Sequence, residues 1–208
     1  MQNEITDFLR SRKKMNLLLV FANVAVFLAM ELTGGDTASV SYMAEHGAMY
    51  VAAVVEEHEY YRLFTSMFLH FGLEHLLYNM LLLLFAGDML ESRTGGIRYL
   101  FIYLAGGVAG NVLSLAVSLH EGGNAVSAGA SGAVFAVIGG LVWLIAKNRG
   151  RLEGVNARGV CLMAVLSLAQ GFTETGVDNY AHLGGFIGGF LAAAVSEILF
   201  CRREEKNS

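Results

Sequence analysis

The sequence predicts an all-α membrane protein: a bundle of six transmembrane helices with no separate soluble domain. Three observations carry that prediction. Charged residues are 15% of the 208 positions and hydrophobic ones 55%, whereas a soluble domain carries about 25% charged residues. The mean hydropathy is +0.52. The charges also gather between apolar runs, whose lengths approach the roughly 20 residues that cross a bilayer. In lipid the backbone must satisfy its own hydrogen bonds, so such runs are helices.

The first run is "NLLLVFANVAVFLAMEL", Asn16 to Leu32. It follows the basic patch "RSRKK", but its apolar core exceeds a signal-peptide h-region and no A-x-A site follows cleanly, so it reads as an uncleaved span. The second centres on Leu76 to Leu90, and the third runs from Ile97 to Leu119. The fourth opens on "SAGASGAVFAVIGG" (Ser127 to Gly140) and continues to Ala146. The fifth, Gly159 to Phe172, looks short, and the sixth extends from Tyr180 to Phe200. The longest stretch outside these runs, Thr33 to Leu63, looks too short and too polar to build its own core. The chain thus divides into a cytoplasmic N-terminal segment (1–15), a membrane domain (16–200) and a cytoplasmic C-terminal tail (201–208).

Six spans put both termini on one side. That side receives Arg10, Arg12, Lys13, Lys14, Arg93, Arg98, Lys147, Arg149, Arg151, Arg158, Arg202, Arg203 and Lys206, and the other only Arg62. By the positive-inside rule the termini are cytoplasmic. The opposite loops are acidic, with Asp36, Glu45, Glu56, Glu57, Glu59, Glu121, Glu174 and Asp178. Cys161 in the fifth run and Cys201 at the end of the sixth do not form a disulfide framework. The sequence holds no CxxC, P-loop or dinucleotide fingerprint, and no repeat period. Proline is absent, so kinks must come from glycine or from neighbouring side chains.

Polar groups inside a membrane are expensive and raise a functional question. Four stand out: His75 and Asn79 in the second span, Ser131 in the fourth and His182 in the sixth. Counted to the next cytoplasmic charge, Ser131 lies sixteen residues above Lys147, His75 sixteen above Glu91, Asn79 twelve above Glu91, and His182 twenty above Arg202. At 1.5 Å per residue, that places all four roughly 18–30 Å above the cytoplasmic face, in the outer half of the membrane. His75 and Asn79 are spaced i, i+4 and share one helical face.

Singly, each has a plain structural role open to it. A serine can bond back to its own helix, a histidine can be wetted at the interface, and an asparagine can join two helices. Together they make a chemical set. A serine hydroxyl becomes a nucleophile when a neutral histidine takes its proton. Amide hydrolysis also needs donors aimed at the developing oxyanion, which a histidine N–H, an asparagine NH₂ and the serine's own backbone N–H can supply. Gly129, Ala130 and Gly132 leave room for a substrate carbonyl beside Ser131. After His182, Gly184/Gly188 and Gly185/Gly189 form GxxxG spacings, which let the sixth helix approach a partner closely.

These blocks resemble the rhomboid intramembrane serine proteases, of the bacterial type with a six-helix core. "GASG" (Gly129 to Gly132) is similar to the family's GxSG. "HFGLEHLLYN" (His70 to Asn79) is similar to its HxxxxHxxxN, and "AHLGG" (Ala181 to Gly185) to its AHxxG. "GDMLE" (Gly87 to Glu91), "GGVAGN" (Gly106 to Asn111) and "EYYRLFTSMFLH" (Glu59 to His70) extend the likeness, in the family's order. The resemblance implies a dyad of Ser131 as nucleophile and His182 as general base, then acid. It implies an oxyanion site from His75, Asn79 and the Ser131 N–H, with Phe135 packed against His182. Gly129, Gly132, Gly185 and His70 support the site. No metal or cofactor is implied.

The implied substrates are single-pass membrane proteins, cut in or near their spans by a cleft open to the outer face. The partners are therefore such proteins and the lipid bilayer, not nucleic acid, and the oligomeric state stays open. The absence of a long N-terminal extension points to a prokaryotic plasma membrane. One departure is Tyr61-Arg62 where the family usually has Trp-Arg. Three rival readings remain: a catalytically inactive relative that binds membrane clients, a metal-dependent protein built on His70, His75 and His182, and a channel or transporter. The metal reading lacks HExxH, since the chain has "LEHLL".

Overall fold

In a computed structural model, residues 12–152, 156–171 and 176–204 are described. Most of the expected N-terminal segment, the end of the C-terminal tail and Phe172 of the fifth expected span lie outside the described residues. The chain is mostly helical. Helix α1 (Lys14–Leu32) leads into a folded loop made of α2 (Val40–Glu45), β1 (Met49–Tyr50), α3 (Val51–Val55) and α4 (Arg62–Thr65). Then α5 (Gly72–Leu82) continues through a π-helical turn (Leu83–Gly87) into α6 (Asp88–Thr94). The bundle is completed by α7 (Gly96–Glu121), β2 (Val126–Ser127), α8 (Ser131–Lys147), α9 (Ala157–Gly171) and α10 (Asn179–Glu204).

Four stretches among the described residues are long and apolar enough to cross a membrane: Lys14–Leu32, Gly72–Thr94, Gly96–Glu121 and Asn179–Phe200. The fourth and fifth expected spans are shorter, 17 residues in α8 and 15 in α9. The expected fourth run also does not start as helix at Ser127. Residues Val126–Ser127 pair antiparallel with Met49–Tyr50, and the helix begins at Ser131. The short length of α8 follows from its place. Gly132 through Leu141 are buried without a break, so this helix is enclosed by protein and need not match the bilayer thickness. At 1.5 Å per residue it rises about 26 Å, less than the roughly 30 Å of hydrocarbon.

Small residues bring α10 against both neighbours. A Cβ on Gly185 would sit 2.1 Å from the Gly132 oxygen, and one on Gly189 2.1 Å from the Ala136 oxygen, both on α8. A Cβ on Gly184 would meet Leu113 at 2.8 Å and the Ala109 oxygen at 3.0 Å, and one on Gly188 would meet Ala109 at 2.6 Å, both on α7. The two interleaved GxxxG patterns therefore serve two different helices, and only a hydrogen side chain fits at each contact.

The first turn of α1 leaves backbone N–H groups without intrahelical partners. Carboxylates of α6 take them: Glu91 accepts from Met15 N (3.2 Å) and Asn16 N (2.7 Å), and Asp88 from Lys13 N (3.3 Å). Negative charge suits this helix end. Tyr99 donates to Asn16 Oδ1 at 2.7 Å and Arg12 pairs with Asp88 at 3.0 Å. The "GDMLE" block thus locks α1, α6 and α7 together at one end.

The stretch from Thr33 to Leu63 folds against its neighbours rather than around a core of its own. It buries Met43, Ala48, Met49, Val51, Ala53 and Val54, and Met43 and Ala48 form a small core with Met30 and Leu69. Two features achieve this. Most of the apolar run "MYVAAVV" faces inward, while Val55, Glu56 and Glu57 stay exposed. Arg62, itself buried, donates to the Ala44 and Ala48 carbonyls (2.5 and 2.9 Å) and to Glu59 (2.5 Å). Tyr61 lies exposed, its ring centroid 5.6 Å from the Arg62 guanidinium carbon.

Candidate active site

Ser131 is the first residue of α8. The preceding loop is held by two backbone N–H groups. Gly129 N donates to the Ser66 carbonyl (3.0 Å), and Ala130 N donates to His70 Nε2 (3.3 Å). Ser66 is fixed in turn by Asn111 of α7, whose side-chain nitrogen donates to Ser66 Oγ (2.9 Å) and to the Leu63 carbonyl (2.8 Å). Gly129 has φ +144°, where residues with a side chain are strained. A Cβ there would also lie 2.8 Å from His75 Cε1, 3.0 Å from His75 Nε2 and 3.6 Å from Ser131 Oγ. The second glycine requirement is thus steric: the His75 ring and the Ser131 hydroxyl flank the bare Gly129 Cα.

His75 is oriented by its other nitrogen. Phe71 N donates to His75 Nδ1 at 3.3 Å, so the neutral ring carries its proton on Nε2. That nitrogen and Cε1 form the ring edge that faces Gly129. His70, fully buried, meets the His75 ring edge-on at 5.3 Å between centroids. Since His70 Nε2 accepts from Ala130 N, its own proton is on Nδ1. His70 and His75 therefore spend their acceptor nitrogens on backbone N–H groups rather than on a common centre. Asn79 is 4% exposed and donates one N–H to the His75 carbonyl at 2.9 Å. Its second N–H remains to serve another acceptor.

His182 sits in the first turn of α10, 8% exposed. Its ring stacks on Phe135 with centroids 4.4 Å apart and planes at 21°. Phe135 is i+4 from Ser131, so both lie on one face of α8. The backbones touch at the same level, since a Cβ on Gly132 would lie 3.4 Å from the Ala181 oxygen. The structure thus places His182 against the face of α8 that carries Ser131. No hydrogen bond joins the two side chains here.

Every residue singled out in the sequence falls in this region: Ser131, His182, His75, Asn79, Gly129, Gly132, Phe135, Gly185 and His70. Ser66, Asn111, Ser114 and Asp178 were not singled out, although each holds part of the frame. Asn111 closes the "GGVAGN" block, and Asp178 stands at the N-cap position before α10, a recognisable start signal.

The Rhomboid domain family model matches residues 57–197. The chain is similar to Rhomboid protease GluP of Bacillus subtilis, 33% identical over 193 residues that cover 93% of this chain and 37% of that protein. It is similar to RHOMBOID-like protein 1 of Arabidopsis thaliana, 40% identical over 151 residues covering 72% and 38%. With Rhomboid-like protease 3 of Toxoplasma gondii it shares 34% identity over 149 residues, covering 69% and 54%. The chain spans between 37% and 54% of the length of these relatives.

Proposed function

The chain belongs to the rhomboid family, and on that premise we propose that it is an intramembrane serine protease acting on single-pass membrane proteins. The observation that carries the reading is the stacking of His182 on Phe135, on the α8 face that carries Ser131, with the His75 ring beside the bare backbone of Gly129. The integral membrane character rests on the long apolar helices. Six spans with cytoplasmic termini, a prokaryotic plasma membrane and a cleft open to the outer face complete the proposal.

The mechanism follows from the groups present. Ser131 Oγ attacks the carbonyl carbon of the scissile bond while His182 takes the hydroxyl proton. The carbonyl oxygen becomes an oxyanion, received by the His75 Nε2–H, an Asn79 N–H and the Ser131 backbone N–H. Its position at the start of α8 favours negative charge. The tetrahedral intermediate collapses, the C–N bond breaks, and His182 gives its proton to the leaving amine. Water, deprotonated by His182, then hydrolyses the acyl-Ser131 ester and restores the serine. Gly129 and Gly132 let the substrate backbone reach Oγ. No step needs a metal.

The test is cleavage of a tagged single-pass substrate in liposomes by wild type and by His182→Ala. Loss of cleavage in a folded, inserted variant supports the dyad, and full activity in His182→Ala contradicts it. Activity removed by a chelator would favour a metal-dependent protein. No cleavage by wild type across several substrates would favour an inactive relative that binds membrane clients.

A further inference from the structure

Asp178 lies four residues before His182, yet it does not bond to the imidazole. Its Oδ1 accepts from Ala181 N at 2.9 Å and its Oδ2 accepts from Ser114 Oγ at 2.6 Å. Its backbone carbonyl takes the His182 N–H at 3.1 Å. Asp178 is thus the N-cap of α10, and its second oxygen ties that helix to α7. Ser114 is buried there. His182 Nδ1 has no hydrogen-bond partner among the described residues.

The tie ends a ladder of contacts between two antiparallel helices. A Cβ on Gly106 would lie 3.0 Å from Gly189 N, and one on Gly110 would lie 3.2 Å from Gly185 N and 2.5 Å from the Ala181 oxygen. Four residues further along α7 comes Ser114, and its counterpart across the interface is Asp178. The glycine contacts set the distance between helices but grip the rotation of α10 only weakly, because they present no side chain. A hydrogen-bonded carboxylate at the helix start fixes both rotation and height in the turn that carries His182.

We propose that Ser114 and Asp178 are positioning residues for His182, holding the first turn of α10 so that the imidazole meets Ser131. This inference rests on the protease reading. It differs from a Ser-His-Asp triad, in which the acid accepts from His Nδ1 and its amide variant loses on the order of 10⁴ in rate. Here both carboxylate oxygens accept from other donors, so an amide can replace them. Asn is as good an N-cap as Asp, its Oδ1 accepting from Ala181 N and its NH₂ donating to Ser114 Oγ.

The experiment compares wild type, Ser114→Ala, Asp178→Ala, Asp178→Asn and Ser131→Ala in liposomes. It reads kcat and KM on a single-pass substrate, the rate of covalent labelling by a fluorophosphonate, and thermal stability. A misplacement of about 1 Å can cost 10²-fold, so Ser114→Ala and Asp178→Ala are expected to lose about 10- to 100-fold in kcat and in labelling rate, with KM within about threefold. Asp178→Asn is expected to rescue most of that loss. Ser114→Ala keeps the cap, so it remains informative if Asp178→Ala does not fold. Wild-type kcat and labelling in Ser114→Ala would overturn the inference, as would an Asp178→Asn variant as slow as Asp178→Ala at equal stability. Labelling that persists in Ser131→Ala, or is absent from wild type, would instead overturn the protease reading itself.

Discussion

Phe135 and His182 stack face to face, 4.4 Å between centroids, across the contact of α8 and α10. The imidazole is thereby held flat against the helix that carries Ser131, one turn away. An aromatic pair of this kind contributes about 0.5–1.5 kcal/mol beyond its area, enough to select one ring orientation. Phe135→Ala should therefore lower kcat by about 10- to 100-fold through misplacement of the proposed base, His182, with KM little changed. Steady-state cleavage in liposomes measures it, and an unchanged kcat would mean that the stack does not orient His182.

The proposed oxyanion donors are unequal in their surroundings. Asn79 already gives one N–H to the His75 carbonyl, whereas the His75 Nε2–H lies against Gly129 and the Ser131 N–H belongs to that serine's own backbone. Removing one donor from such a site costs at most about 10²–10³ in kcat. Asn79→Ala should fall at or below the lower end of that range, since two donors remain. Its kcat relative to Ser131→Ala is the measurement, and equal severity in a folded protein would contradict this ranking.

Helix contact sets the stability. A methyl on Gly185 would land 2.1 Å from the Gly132 oxygen, and backbone there has nowhere to move. Gly185→Ala should lose about 1–3 kcal/mol or more by overpacking, and activity with it as the helices separate. Thermal unfolding in detergent checks this; wild-type stability would contradict so close an approach.

The folded loop between α1 and α5 should respond to acid. The hydrogen bond from Arg62 holds the Glu59 carboxyl below its ordinary value of 4.5. A depressed carboxylate stabilises the fold at pH above its unfolded value, and that contribution disappears as pH falls through the folded value. Proteolytic nicking of the loop should therefore rise below about pH 4.5. Glu59→Gln should be nicked faster at neutral pH and lose that acid-dependent rise. Nicking independent of pH in wild type would show that the pair does not hold the loop.

Much of this was legible in the sequence, for physical reasons that differ by residue. Hydrophobic runs against a bilayer thickness mark helices such as α7 and α10, and polar residues such as His75 and His182 stand out because lipid makes them costly. The spacing of Gly184, Gly185, Gly188 and Gly189 shows close approach, but not that alternate pairs face α8 and α7, since facing is decided by tertiary contacts. The packing of the loop from Thr33 to Leu63 against Met30 and Leu69 has no local signal. Its stability comes from Arg62 reaching the Ala44 and Ala48 carbonyls, a long-range contact that no local pattern encodes. The short strand β2 has no local signal for a similar reason: it exists only because β1, far off in the chain, pairs with it. Asp178 read as one more loop charge, because its value lies in Ser114, 64 residues away.

The central claim is that Ser131 is the nucleophile. It is tested most directly by reconstituting wild type and Ser131→Ala separately in liposomes with the same tagged single-pass substrate and following the product fragments. The account predicts cleavage by wild type and none by Ser131→Ala at equal folding and insertion. Cleavage by both would remove Ser131 from the chemistry and contradict it.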